Sequence, residues 1–297
     1  MKLKLGTRGS DLALTQSRQV AAALEHAGIE AELVIISTSG DRSTAPTFGA
    51  IGPQGVFVRE IEQALLNGNV DIAVHSFKDL PTTSPAGLVI GAVPLRRDPA
   101  DWLFLREKTA DGVLASLPAG ARVGTSSARR QAWLRHLRED LAIEPLRGNV
   151  PTRLRRLAAG DYDAILLAGA GVDRLNEASS VLADPLADLH SVRLDPAQFV
   201  PAPAQGALAV QCREADPAIR AALASIDDGD SRAAVTLERA ALALAEGGCD
   251  TAFGAWARNT PEGFALNVML ERGGKVLSTE VSGAPGATLA EQAMATL

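Results

Sequence analysis

Three groups of residues carry side chains suited to holding or transforming an anion: Thr7-Arg8-Gly9-Ser10, His75-Ser76-Phe77-Lys78-Asp79 and the stretch from Arg122 to Arg156. That stretch holds nine arginines against three acids, a net charge of +6 in a chain whose total is -6, so the remainder carries -12. Arginine offers a planar fork that matches carboxylate or phosphate, and 24 of the 29 basic residues are arginine. Singly, each suits a surface ion pair. As a set at the starts of predicted helices they oppose the positive end of the helix dipole, and an anion placed there relieves that conflict. The pair Lys78-Asp79 reads two ways, as a cation orienting a carboxylate that must stay ionised or as an ordinary exposed pair.

The elements that must position these residues follow from periodicity. Short apolar runs alternate with helical patterns: a strand at 3–5 and a helix from Asp11, a strand at 31–36 and a helix from Val56, then strands at 70–74 and 88–93. After a crossover at Pro94 to Asp101 the rhythm resumes, with a strand at 122–124, a helix from Arg129, a strand at 143–146, a helix from Thr152 and a strand at 164–167. This predicts an α/β fold with mostly parallel sheets, in which ligands bind beyond the strand carboxyl ends. Thr7 to Ser10, Ser37 to Asp41, His75 to Asp79, Gly124 to Arg130 and Leu146 to Arg153 all fall at such ends. The Pro-rich passage 195–204 leads into an apolar run at 206–212 that returns the chain to the first unit. A helix at 231–245 and strands at 252–257, 264–271 and 275–282 complete a small α+β region. No internal repeat is visible.

Composition narrows the function. At 297 residues, 46% hydrophobic and 22% charged, the chain has the makeup of a globular protein with room for two or three domains. No apolar run approaches the roughly 20 residues of a membrane span, and the first residues pass into a strand pattern rather than a signal peptide, so a cytoplasmic location is expected. Cys212 and Cys249 allow at most one disulfide and are expected as thiols. Neither they nor the four histidines have metal-ligand spacing, so no metal is expected. The acidic balance and 4% aromatic content argue against a nucleic-acid surface. No Walker sequence is present, and Ala168-Gly169-Ala170-Gly171 is too short for a dinucleotide fingerprint. Cys212 lies in an apolar run typical of buried cysteine; Cys249 follows two glycines that permit an exposed thiol.

Taken together, GTRGSDLAL (6–14), DIAVHSFKDLP (71–81), VGTSSARRQ (123–131), LRGNVPTRL (146–154), DAILLAGAGVDRL (163–175), PAQGALAVQCR (203–213) and EGGC (246–249) resemble the hydroxymethylbilane synthase, or porphobilinogen deaminase, family. The resemblance spans nearly the whole chain. It implies two α/β domains resembling type II periplasmic binding proteins around a cleft, plus a small α+β C-terminal domain. The expected division is 1–96 with 197–215, then 97–196, then 216–297. It also implies a transferase that condenses four porphobilinogen units, with loss of ammonia, onto a dipyrromethane cofactor bound through a thioether, and then releases hydroxymethylbilane by hydrolysis.

By motif match, Asp79 is the expected catalytic carboxylate and Cys249 the attachment thiol. Lys78, Thr125, Ser126, Ser127, Arg129, Arg130 and Arg153 are expected to hold cofactor, and Arg8, Ser10, Arg147, Arg174 and Gln205 substrate. Porphobilinogen is the expected partner, with no nucleic acid or membrane, and the expected state is a monomer. The chain departs from the family pattern at Ala50, at Gly52 to Phe57, and at Asp11 and Ala252, where proline is common. The competing readings are a non-catalytic binding protein of the same fold and a nucleic-acid binder using the arginine island.

Overall fold

A computed structural model describes residues 1–36, 58–108, 114–178, 180–245 and 252–297. In chain order the elements are β1 (Lys2–Thr7), α1 (Asp11–His26), β2 (Glu30–Ile35), α2 (Arg59–Leu66), β3 (Ile72–Ser76) and β4 (Leu88–Ala92). Next come β5 (Asp101–Leu105), β6 (Arg122–Gly124), α3 (Ala128–Leu137), β7 (Ala142–Glu144), α4 (Val150–Ala158), β8 (Ala164–Ala168), α5 (Gly169–Ala178) and β9 (His190–Arg193). The remainder is β10 (Leu208–Arg213), α6 (Pro217–Leu223), α7 (Gly229–Leu244), β11 (Phe253–Thr260), β12 (Gly263–Arg272), β13 (Lys275–Gly283) and α8 (Ala287–Thr296).

Three helices start where a side chain supplies a missing acceptor. Ser10, Ser127 and Asn149 each occupy an N-cap with extended backbone and accept a backbone N–H from the first turn of α1, α3 and α4. Asp11, where the family commonly has proline, is the first residue of α1, a position that favours an acid against the helix dipole. Ala252 is buried in an apolar core cluster.

The chain divides into two compact units, residues 1–97 with 207–233, and 98–206 with 234–297. The first is built on a five-stranded sheet ordered β2-β1-β3-β10-β4. In it β1 is parallel to β2 and β3, while β10 runs antiparallel between β3 and β4. Leu5, Ile72, Val74 and Val210 face the core under α1, and Ile61 and Leu65 of α2 cover the opposite face with Ala73 and Leu88. The second unit holds a sheet ordered β7-β6-β8-β5-β9, in which β5 is antiparallel to both neighbours. One strand order, parallel strands with one antiparallel strand in the fourth place, therefore occurs in both sheets. That repeat exists in topology although the sequence shows none.

Strands β5 and β9 go beyond the sequence expectation, which treats the region before Asp101 as a crossover and places no strand at either site. The segment 101–105 is apolar enough to be a strand, but only its neighbours β8 and β9 decide that it is one. The second unit also contains the antiparallel sheet β11-β12-β13, with Leu289, Ala290 and Ala293 of α8 buried.

Candidate active site

In the first unit the carboxyl ends of β1 and β3 lie side by side, because β1 pairs with β3. Their ends are fastened to α1: Ser17 Oγ donates to Thr7 Oγ1 at 2.7 Å and Gln16 Nε2 donates to Ser76 Oγ at 2.9 Å. Arg8 follows β1 directly, and a single 3-10 turn, Phe77–Asp79, carries Lys78 and Asp79 past β3. Phe77 is buried and pins that turn, whereas Asp79 is accessible to solvent. Protein crowded around this accessible carboxyl raises its proton affinity above the ordinary carboxylate range, and the charges of Lys78 and then Arg8 act against that rise. An accessible acid beside two cations can stabilise positive charge and exchange protons.

The second unit positions its arginines differently. Arg129 and Arg130 occupy the first turn of α3 and are buried, and both bond to Asp101 at the start of β5. Arg129 Nη1 donates to Asp101 Oδ2 at 2.7 Å and to the Val200 carbonyl at 2.8 Å. Arg130 gives Asp101 Oδ1 a forked pair, from Nε at 3.0 Å and Nη2 at 2.7 Å, and its Nη1 donates to the Leu166 carbonyl at 2.9 Å. Gln205 Nε2 joins the same carboxylate at 2.9 Å and the Pro99 carbonyl at 2.7 Å. Burial alone would raise the Asp101 pKa, but the charges of Arg129 and Arg130 and their hydrogen bonds prevail and hold it well below the usual carboxylate range. The internal anion Asp101 thus relieves part of the dipole conflict that the sequence raised.

Arg174 is also buried and donates from Nη2 to the Gly206 carbonyl at 2.8 Å. Arg153, half-buried in α4, donates from Nε to the Gly148 carbonyl at 2.7 Å; desolvation and the nearby Arg130 charge lower its pKa. Arg147 is exposed just before Gly148, whose φ of 110° brings the turn into the N-cap of α4. Ser126 Oγ exchanges two 3.0 Å bonds with the backbone of Leu146, tying the end of β6 to the turn after β7. Buried Thr125 accepts the Ser127 N–H at 3.2 Å.

Within the first unit Lys78 and Arg8 act on Asp79 through their charge, while Ser10 caps α1. Within the second, Asp101 gathers Arg129, Arg130 and Gln205, the Arg130 charge reaches Arg153, and Thr125, Ser126, Ser127 and Arg147 lie on the turns that follow β6 and β7. Cys249 and the family departures at Ala50 and 52–57 lie outside the described residues. Among the described residues no group of three or more histidine, cysteine or acidic side chains could hold a metal ion.

Sequence reasoning missed two buried acids. Asp101 sat in a segment read as connection. Glu238 of α7 is fully buried and accepts the Ala204 N–H at 2.6 Å and the Ala257 N–H at 2.8 Å. It braces a residue held at φ 59°, the one described non-glycine residue with positive φ. No local signal marked either acid, since each is defined by partners distant in sequence.

A family model described as porphobilinogen deaminase, dipyrromethane cofactor binding domain, matches residues 3–221. The chain belongs to the porphobilinogen deaminase family. The porphobilinogen deaminase of Mycobacterium leprae is 49% identical over 256 residues, 86% of this chain and 77% of that protein. The one from Streptococcus sanguinis is 42% identical over 295 residues, 98% of this chain and 94% of its own length. The chain is accordingly a transferase with hydroxymethylbilane synthase activity, and the non-catalytic reading falls. Similar solved structures include a probable amino-acid transporter extracellular-binding protein of Bacillus subtilis, 13% identical with a TM-score of 0.43, covering 76% of this chain and 90% of that one. Another is an ancestral arginine-binding protein bound to arginine, 12% identical with a TM-score of 0.40, covering 76% and 90%. No described helix is long and apolar enough to cross a membrane.

Proposed function

We propose that the chain condenses porphobilinogen units at Asp79 while its arginines hold the acetate and propionate groups of the pyrroles. The observation that carries this reading is the accessible Asp79 carboxylate on a pinned turn, flanked by Lys78 and Arg8. When the pyrrole nitrogen of porphobilinogen pushes out ammonia, the carbon–nitrogen bond breaks with its electron pair and leaves an electron-poor azafulvenium. The ionised Asp79 carboxylate stabilises that cation and accepts pyrrole protons once the new carbon–carbon bond has formed. Arg8, Ser10, Arg147, Arg174 and Gln205 serve substrate binding. Arg174 and Gln205 do so by fixing the backbone at Gly206 and the Asp101 network.

The chain's donor set suits a dipyrromethane cofactor. Among the described residues the buried Arg129 Nε has no hydrogen-bond partner, and Arg153 is half-buried under like-charge pressure from Arg130, so the α3–α4 corner favours carboxylates. Lys78, Thr125, Ser126, Ser127, Arg129, Arg130 and Arg153 would hold it, and Cys249 would bind it through a thioether. Once bound, the group supplies the nucleophilic pyrrole carbon on which elongation starts. Three functional parts fit this division: 1–96 with 197–215 carrying Asp79, 97–196 carrying the arginines, and 216–297 carrying Cys249. β10 lies within the first sheet, and β11 to β13 form a sheet of their own, in support of that partition. The enzyme works as a cytoplasmic monomer on this reading.

Intact mass under denaturing conditions tests the assignment. Wild type should carry the added mass of two linked pyrroles, and Cys249→Ser should not. A wild type that stays unmodified even after incubation with porphobilinogen would sink the cofactor assignment.

A further inference from the structure

Asp101 is fully buried, and each of its oxygens is committed: Oδ2 to Arg129, Oδ1 to Arg130 twice and to Gln205. Arg130 is correspondingly engaged at Nε, Nη1 and Nη2, so its guanidinium plane has one orientation. Among the described residues Arg129 is held through Nη1 alone, and its buried Nε meets no acceptor. Its Cζ lies 6.0 Å from the centroid of the Phe199 ring, which limits rotation. Two adjacent cations in the first turn of a helix repel each other and the helix dipole. One shared carboxylate cancels one of those two charges and leaves a single positive charge whose direction is fixed.

We propose that Asp101 is a positioning residue for cofactor loading: it orients Arg129 and Arg130 and reduces their joint charge to one, so that a single ligand carboxylate completes the amino end of α3. This rests on the reading that these arginines face cofactor carboxylates. Gln205 extends the same control to the segment 199–206, because its amide bonds to the carboxylate that also orders the arginines. A purely structural Asp101 would affect only the stability of the fold. A positioning Asp101 also changes how anions compete for the corner.

The full chain, produced without porphobilinogen, separates the two. The rate at which porphobilinogen adds the two-pyrrole mass is followed by intact mass spectrometry, with acetate as a competing single carboxylate, in wild type, Asp101→Asn and Asp101→Glu. Folded Asp101→Asn should load about tenfold more slowly, and acetate should suppress its loading at about tenfold lower concentration, because the corner has gained charge and lost orientation. Asp101→Glu should keep wild-type acetate sensitivity but load slowly. Folded Asp101→Asn with wild-type loading and acetate sensitivity overturns the proposal; if that variant does not fold, wild-type loading in Asp101→Glu does so instead. A wild type that loads fully but is indifferent to acetate removes the carboxylate-binding reading of the corner, and this inference with it.

Discussion

Gln16 donates its side-chain amide to Ser76 Oγ at 2.9 Å, and this bond anchors the end of β3 to α1 just before the turn that bears Asp79. The position of the proposed catalytic acid thus depends on a polar contact between two elements far apart in sequence, and not on the turn alone.

Asp79→Asn keeps the shape of the side chain and removes its charge. Turnover should fall at least about a hundredfold while the cofactor mass is retained, since the neutral amide stabilises no cation. Steady-state assay paired with intact mass checks both halves; near-normal kcat in a fully loaded variant would show that Asp79 is not the catalytic acid.

The acid side of the rate profile should report Asp79. Its carboxyl is raised by the protein crowded around it and pulled back by Lys78 and Arg8, so activity is lost on acidification at a higher pH than an ordinary aspartate would give. Lys78→Gln removes the larger of the two opposing charges. Its acid limb, normalised to its own plateau, should shift further toward neutral pH, and an unmoved or opposite limb would contradict the electrostatic account.

Asp101→Asn should destabilise the fold by about 3–5 kcal/mol in urea denaturation, because two buried guanidiniums lose their shared counter-charge. The sign with pH follows from the depressed Asp101 pKa. Its stabilisation is fully present above the unfolded value of 3.8 and is lost as pH falls through the lower folded value. The wild-type advantage over Asp101→Asn should therefore be flat above about pH 5 and shrink in strong acid. An equal urea midpoint for the two proteins would remove Asp101 from the account of stability.

His75 lies buried on β3 with its pKa lowered to about 4, chiefly by burial, against a partial rise from Gln211. The unfolded chain binds the proton more readily. Stability from the neutral ring is thus complete above about pH 6.5 and lost as pH falls through about 4, a change on the order of 3 kcal/mol. His75→Gln should flatten that part of the stability profile, whatever its absolute stability. A slope unchanged between pH 6.5 and 4 would place the titration elsewhere.

The sequence by itself determined the parts governed by near neighbours. Helical periodicity announces helices near Asp11, Arg129 and Thr152, where the structure finds Ser10, Ser127 and Asn149 as caps, and the alternating apolar runs announce β1, β3, β6 and β8. The charge pattern also announced that an anion belongs at the amino end of α3, and the ordered motifs identified the family. Only the tertiary structure decided that Asp101 supplies one such anion, that β5 and β10 enter their sheets antiparallel, and that Glu238 holds Ala204 at positive φ. Helix caps and apolar periodicity act within a few residues and leave a local trace. The pairing of a buried charge is chosen among all partners that folding brings within reach, and Asp101 meets Gln205 across 104 positions that no local pattern connects.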